Sequence, residues 1–170
     1  MTIAYQPKYF RIIASTLTLA LAMLAALISP ATLASEDNVQ QELKVYKSPS
    51  CGCCGKWVEH LNTQGLQTNV QNSNRLAEIK AELGIAPAQQ SCHTALSSAG
   101  YVFEGHIPAR IIKQFLANPP EHARGLAVPN MPVGSPGMEM GDRFQAYQVL
   151  LINTDGSHGV YASIDRKDQQ

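Results

Sequence analysis

Hydrophobic positions along the chain fall into three patterns. Ile12 to Ile28 is apolar apart from Ser15, Thr16 and Thr18, a single run of 17 positions. From Glu42 onward, apolar residues either alternate with polar ones or recur at helical spacing. Glu42–Ser48 sets Leu43, Val45 and Tyr46 among polar neighbours and predicts a strand. Trp57, Val58 and Leu61 share one helical face across Lys56–Asn62, and Gly65 ends that helix. Gln67–Gln71 predicts a short strand. Asn74 predicts the cap of a second helix with Leu76, Ile79 and Leu83 inward and Gly84 at its end. Thr94–Ser97 and Tyr101–Glu104 predict a hairpin around Ser98-Ala99-Gly100. Pro108 opens a third helix with Ile111, Ile112, Phe115 and Leu116 on its apolar side, stopped by Asn118-Pro119-Pro120. Residues 119–145 are rich in Pro and Gly and show no period. Ala146–Ile152 and His158–Ala162 predict a last hairpin around Asp155-Gly156, followed by a charged, frayed tail.

The predicted order is β-α-β-α-β-β-α, then an excursion and a C-terminal β-hairpin. A cysteine motif, Cys51-Gly52-Cys53-Cys54, falls between the first strand and first helix. A thioredoxin-like fold carries its Cys-x-x-Cys at that point, and Cys51 and Cys54 have this spacing. The expectation is therefore an α/β, thioredoxin-like single domain over residues 35–170, with a long Pro/Gly/Met-rich loop.

The N-terminal run changes the picture of where the chain acts. Lys8 and Arg11 precede it, Pro30 breaks it, and Thr32-Leu33-Ala34 offers small residues for cleavage. Residues 1–34 read as a secretory signal peptide, and the expected location is the periplasm. The competing reading is a retained anchor, since 17 residues sit at the low edge of a spanning helix. Removing Lys8 and Arg11 from a balanced 13 basic and 13 acidic residues leaves a formal charge of −2. No basic cluster remains, which argues against nucleic-acid binding.

All four cysteines, Cys51, Cys53, Cys54 and Cys92, lie beyond the signal. Exported proteins usually pair their cysteines in disulfides. Here three cysteines fall within four residues, and staples gain more by closing long loops. The crowding points to a reactive or metal-binding site at a helix start, where free N–H groups and the helix dipole favour a thiolate. Gly52 and Gly55 leave room for a ligand at the backbone. Cys92 and the adjacent His93 fall in a loop some 40 residues on, and His106 precedes the third helix. Met131, Met138 and Met140 are the only methionines outside the signal, and all lie in the Pro/Gly-rich segment. Thioethers beside thiolates select copper(I) over hard cations, which makes Met131 and Met138 candidate ligands or a lid. His60, His122 and His158 read as solvated surface residues. A zinc site is the metal alternative, but zinc ligands normally come in spaced pairs.

The segments Cys51-Gly-Cys-Cys-Gly-Lys-Trp, Ser91-Cys-His-Thr-Ala, Gly100-Tyr-Val-Phe-Glu-Gly-His-Ile-Pro-Ala and Gly125-Leu-Ala-Val-Pro-Asn-Met-Pro-Val-Gly-Ser-Pro-Gly-Met-Glu resemble, in order, the signature blocks of the CopG-type copper-resistance proteins. The resemblance runs from about Leu43 to Ala162. It implies a thioredoxin-like periplasmic domain that binds several copper(I) ions through bridging sulfurs of Cys51, Cys53, Cys54 and Cys92. It also implies copper tolerance as the role, with His93, His106, Met131 and Met138 at the family's histidine and methionine positions. Asn130 stands where glycine is commoner in the family, and asparagine tolerates left-handed backbone. The implied partners are copper ions and other periplasmic copper-handling proteins. Two further activities remain open on the residues alone. One is thiol–disulfide exchange through Cys51 and Cys54; the other is copper oxidoreduction, for which the sequence supplies no electron donor.

Overall fold

The computed structural model describes residues 42–170, so the expected signal peptide lies outside the described residues. Strand β1 (Glu42–Lys47) buries Leu43 and Val45 on one face, as its alternation requires. Helix α1 (Gly52–Thr63) buries Cys54, Trp57 and Leu61, one stripe at helical spacing, and Gly65 stops it with φ of 80°. Strand β2 (Gln67–Asn72) runs parallel to β1. Helix α2 (Leu76–Glu82) follows, then a 3₁₀ turn at Pro87–Gln89. Strands β3 (His93–Ser97) and β4 (Val102–Glu104) form the expected hairpin. Helix α3 (Ala109–Ala117) buries Ala109, Ile111, Ile112 and Phe115. Strands β5 (Ala123–Ala127), β6 (Tyr147–Asn153) and β7 (His158–Ile164) complete one seven-stranded sheet of order β2-β1-β3-β4-β5-β6-β7. Among the described residues, no helix is long and apolar enough to cross a membrane.

The core lies between the sheet and helices α1 and α3. Leu43, Val45, Trp57, Leu61, Phe103, Ile112, Phe115 and Leu126 are fully buried there. Phe115 sits edge-on to Tyr101, Phe103 and Tyr161, with ring centroids 5.2, 5.6 and 5.9 Å away.

Four expectations are corrected. Strand β5 was not expected: the Pro/Gly-rich segment 119–145 contains it, parallel to β4. Gly125 is what lets it pair, since a Cβ there would fall 1.8 Å from the Val102 carbonyl oxygen. Asn74 does not cap α2; the Ser73 hydroxyl accepts the Arg75 N–H at 3.0 Å. Leu76, Ile79 and Leu83 are only half-buried, and the buried side chain of α2 is Lys80. The tail is tied down rather than frayed. Arg110 donates to the Gln169 carbonyl, and the Gln170 side chain donates to the Gly134 carbonyl at 2.8 Å.

Candidate metal centre

The turn after β1 places Cys51 immediately before α1, so Cys53 and Cys54 lie in that helix's first turn. The sulfurs of Cys51 and Cys54 are joined in a disulfide, and Cys53 and Cys92 are free thiols. Cys53 Sγ lies 3.5 Å from Cys51 Sγ. Cys92 precedes β3, and its carbonyl oxygen is 3.9 Å from Cys54 Sγ. All four sulfurs lie within 4.8 Å of one another. An added Cβ at Gly52 or Gly55 would meet nothing within 4 Å, so the backbone beside the cluster is open.

A second group converges on Cys92. Its Sγ is 3.2 Å from His93 Nδ1 and 3.1 Å from His106 Nε2. His106 Nδ1 donates to the Pro136 carbonyl at 2.8 Å. That bond fixes the tautomer, leaving the Nε2 lone pair aimed at Cys92, as a metal-ligating imidazole requires. His93 is fully buried, its ring 4.2 Å from Trp57 and 4.8 Å from His106. Among the described residues its Nε2 has no hydrogen-bond partner. Burial pushes the Cys92 thiol up to about 12, assisted by the adjacent Cys53. Burial also pulls His93 well down, with His106 and Lys80 acting in the same direction. His106 is lowered by burial too, and its bond to Pro136 partly opposes this. Without metal, the pocket therefore favours a neutral thiol and neutral imidazoles. A bound soft cation would displace the thiol proton.

The segment between β5 and β6 roofs this pocket. Pro132, Gly134, Ser135, Pro136 and Gly137 are buried, pinned by backbone bonds such as Met138 N–H to Ser135 O at 2.7 Å. Gly137 has φ of 86°, and a Cβ there would fall 2.7 Å from the Cys53 carbonyl oxygen and 2.8 Å from the Trp57 nitrogen. Asn130 adopts the left-handed φ of 63°, and its carbonyl accepts the Ser91 hydroxyl. Met131 is 48% exposed, beside a surface cavity of about 420 Å³ lined by Asn130, Gln145 and Tyr147. Met138 is half-buried and Met140 exposed. The structure thus brings the four cysteines, His93 and His106 together, with the backbone of the methionine segment above them.

Three residues around the site carried no mark in the sequence reading. Glu104, Lys80 and Thr94 form a buried polar group behind Cys92. The only hint was an acidic residue closing the apolar run Tyr101-Val-Phe-Glu104. His60 is half-buried rather than solvated, and its Nε2 accepts the Ala109 N–H at 3.1 Å, capping α3. His122 and His158 are exposed, as read.

A family described as a protein of unknown function, DUF411, matches residues 89–138. No curated protein matches the chain. Two solved structures are similar to it. Copper resistance protein copG, form 2, is 37% identical, with a TM-score of 0.69 over 73% of this chain and 98% of that one. Form 1 of the same protein is 38% identical, with a TM-score of 0.68 over 72% of this chain and 96% of that one.

Proposed function

The chain belongs to the family of copper resistance protein CopG, and we propose that it is a periplasmic copper(I)-binding protein that holds more than one ion on its cysteine sulfurs. The observation that carries this reading is the convergence of four sulfurs within 4.8 Å. A thiolate can bridge two copper(I) ions, so four sulfurs can serve more than one metal. His106 and His93 add neutral imidazole donors on the Cys92 side. Met131 and Met138 are the thioether candidates of the roof. In this reading residues 1–34 export the chain, and residues 35–170 form the metal-binding domain. Its framework reads as thioredoxin-like: a Cys-x-x-Cys spans the end of the β1 turn and the start of α1.

The test is a titration of reduced, anaerobic protein with copper(I) against a chromophoric chelator. Uptake of more than one ion per chain is expected, with a sharply lower count for Cys51→Ser. Full loading by a variant lacking all four cysteines would refute the reading.

A second reading is favoured by the Cys51–Cys54 disulfide. Closing that bond from two thiols releases two electrons and two protons, which matches the reduction of two copper(II) ions to copper(I). The same pair would serve thiol–disulfide exchange. Rapid reduction of insulin by metal-free protein would favour exchange. Turnover of copper(II) with a thiol reductant would favour copper redox chemistry.

A further inference from the structure

Lys80 and Glu104 form the one buried ion pair among the described residues, with side chains 5% and 0% exposed. Neither is a sulfur or imidazole donor, and no part of the copper(I) reading uses them. Burying two charges is costly, and the regained attraction offsets it only where geometry and further hydrogen bonds are good. Glu104 is well supplied with such bonds. Its Oε1 accepts the Ser91 backbone N–H at 2.6 Å, and its Oε2 accepts the Thr94 hydroxyl at 2.5 Å. The Lys80 ammonium, reaching in from α2, donates to Glu104 Oε1 and also to Thr94 Oγ1 at 2.9 Å.

Ser91 and Thr94 stand on either side of Cys92-His93. One carboxylate therefore grips both ends of the dipeptide that carries a thiol and an imidazole into the pocket. The grip falls where it is needed. Thr94 is paired with Glu104 in the β3–β4 ladder, whereas Ser91 and Cys92 precede β3 and have no place in that ladder. Without Glu104 the Ser91 N–H would lose this acceptor, and the turn, still tied through the Ser91 hydroxyl to the Asn130 carbonyl, would hold Cys92 less tightly toward Cys54 and His106.

We propose that Glu104, neutralised by Lys80, is a positioning residue that sets the reach of Cys92 and His93 into the sulfur cluster. The inference rests on the reading of that cluster as a copper(I) site, but its geometric core can be tested without metal.

The paired variant K80M/E104L removes both charges at similar volume and leaves no unpartnered buried ion, a change cores often tolerate. Thr94→Val is the milder second variant. In the disulfide form, Cys53 and Cys92 are the free thiols, so peptide mass mapping after timed alkylation reads their ratio. At fixed pH, alkylation of Cys92 relative to Cys53 should rise about fivefold in K80M/E104L and about twofold in Thr94→Val, as a loosened turn opens more often. In reduced protein, copper(I) affinity should fall about tenfold in K80M/E104L, and clearly less, by the His93 share alone, where Cys92→Ser is already present. A merely structural role would lower affinity equally in both backgrounds. That outcome, or a folded K80M/E104L with the unmodified protein's alkylation ratio, overturns the proposal. If K80M/E104L fails to fold by circular dichroism, an unchanged ratio in Thr94→Val overturns it. If the unmodified protein takes up no copper(I), the proposed function falls, while the alkylation ratio still decides the positioning role.

Discussion

Cys92 sits at the junction of both donor groups, and its surroundings hold it protonated. Burial and the neighbouring Cys53 push its thiol up to about 12, whereas an ordinary cysteine titrates near 9. The thiolate is the nucleophile, so Cys92 in the metal-free protein should react slowly with iodoacetamide at pH 9, about tenfold slower than a peptide thiol. Its rate should keep climbing beyond pH 10, where a peptide thiol has levelled off. A plateau at or below pH 9 would show that the pocket does not shelter the thiol. The sign for stability runs the same way. A thiol whose proton is held more tightly in the folded state favours folding below its unfolded value, and that contribution is lost as pH rises toward 12. The cysteines were legible in the sequence because sulfur is scarce and its spacing is chemically telling. Glu104 and Lys80 were not, because a charged residue in a strand or helix is ordinarily solvated, and only the fold brings the two together.

At the scale of elements, the hairpins and the helix ends were legible where apolar spacing was regular and glycine marked a turn, and illegible where glycine instead let the backbone pack closely, as at Gly125 and Gly137. Ala123–Ala127 reads Ala-Arg-Gly-Leu-Ala, with neither alternation nor β-branched residues, so its pairing with β4 leaves no trace in the pattern. The roof segment is similar: its order comes from turns and from Gly137 lying against α1. Gly137→Ala puts a Cβ against two backbone atoms of α1 and forces a left-handed φ on an L-residue. It should lower stability by about 1–3 kcal/mol, read as a fall in the urea midpoint. It should also shift the emission of Trp57, the chain's one tryptophan, whose backbone nitrogen is among the atoms the new methyl meets. Unchanged midpoint and emission would mean that the roof does not press on the helix.

Across the whole molecule, the chemistry gathers at one end of the sheet. The register pairs Lys47 of β1 with His93 of β3, Thr94 with Glu104, Glu104 with Ala127, and Ala127 with Leu150. The cysteine turn, the Cys92 turn, the His106 turn and the roof therefore all leave the strands at the same edge. Open α/β sheets place ligands outside the carboxyl ends of strands, and here β1, β4 and β5 all end there. Four sulfurs converge because two of those connections carry them, the cysteine turn three and the Cys92 turn one, and the Cys51–Cys54 disulfide leaves two of the four as free thiols. With that bond closed, only the Cys53 and Cys92 thiols remain as strong soft donors beside His93 and His106. Oxidised protein should accordingly load at most one copper(I) per chain under chelator competition, and reduction should raise the count above one. Thiol counting and elemental analysis on the same samples supply both numbers. Equal loading of the oxidised and reduced forms would separate the disulfide from the metal site, and would leave the Cys-x-x-Cys pair to electron transfer or thiol exchange.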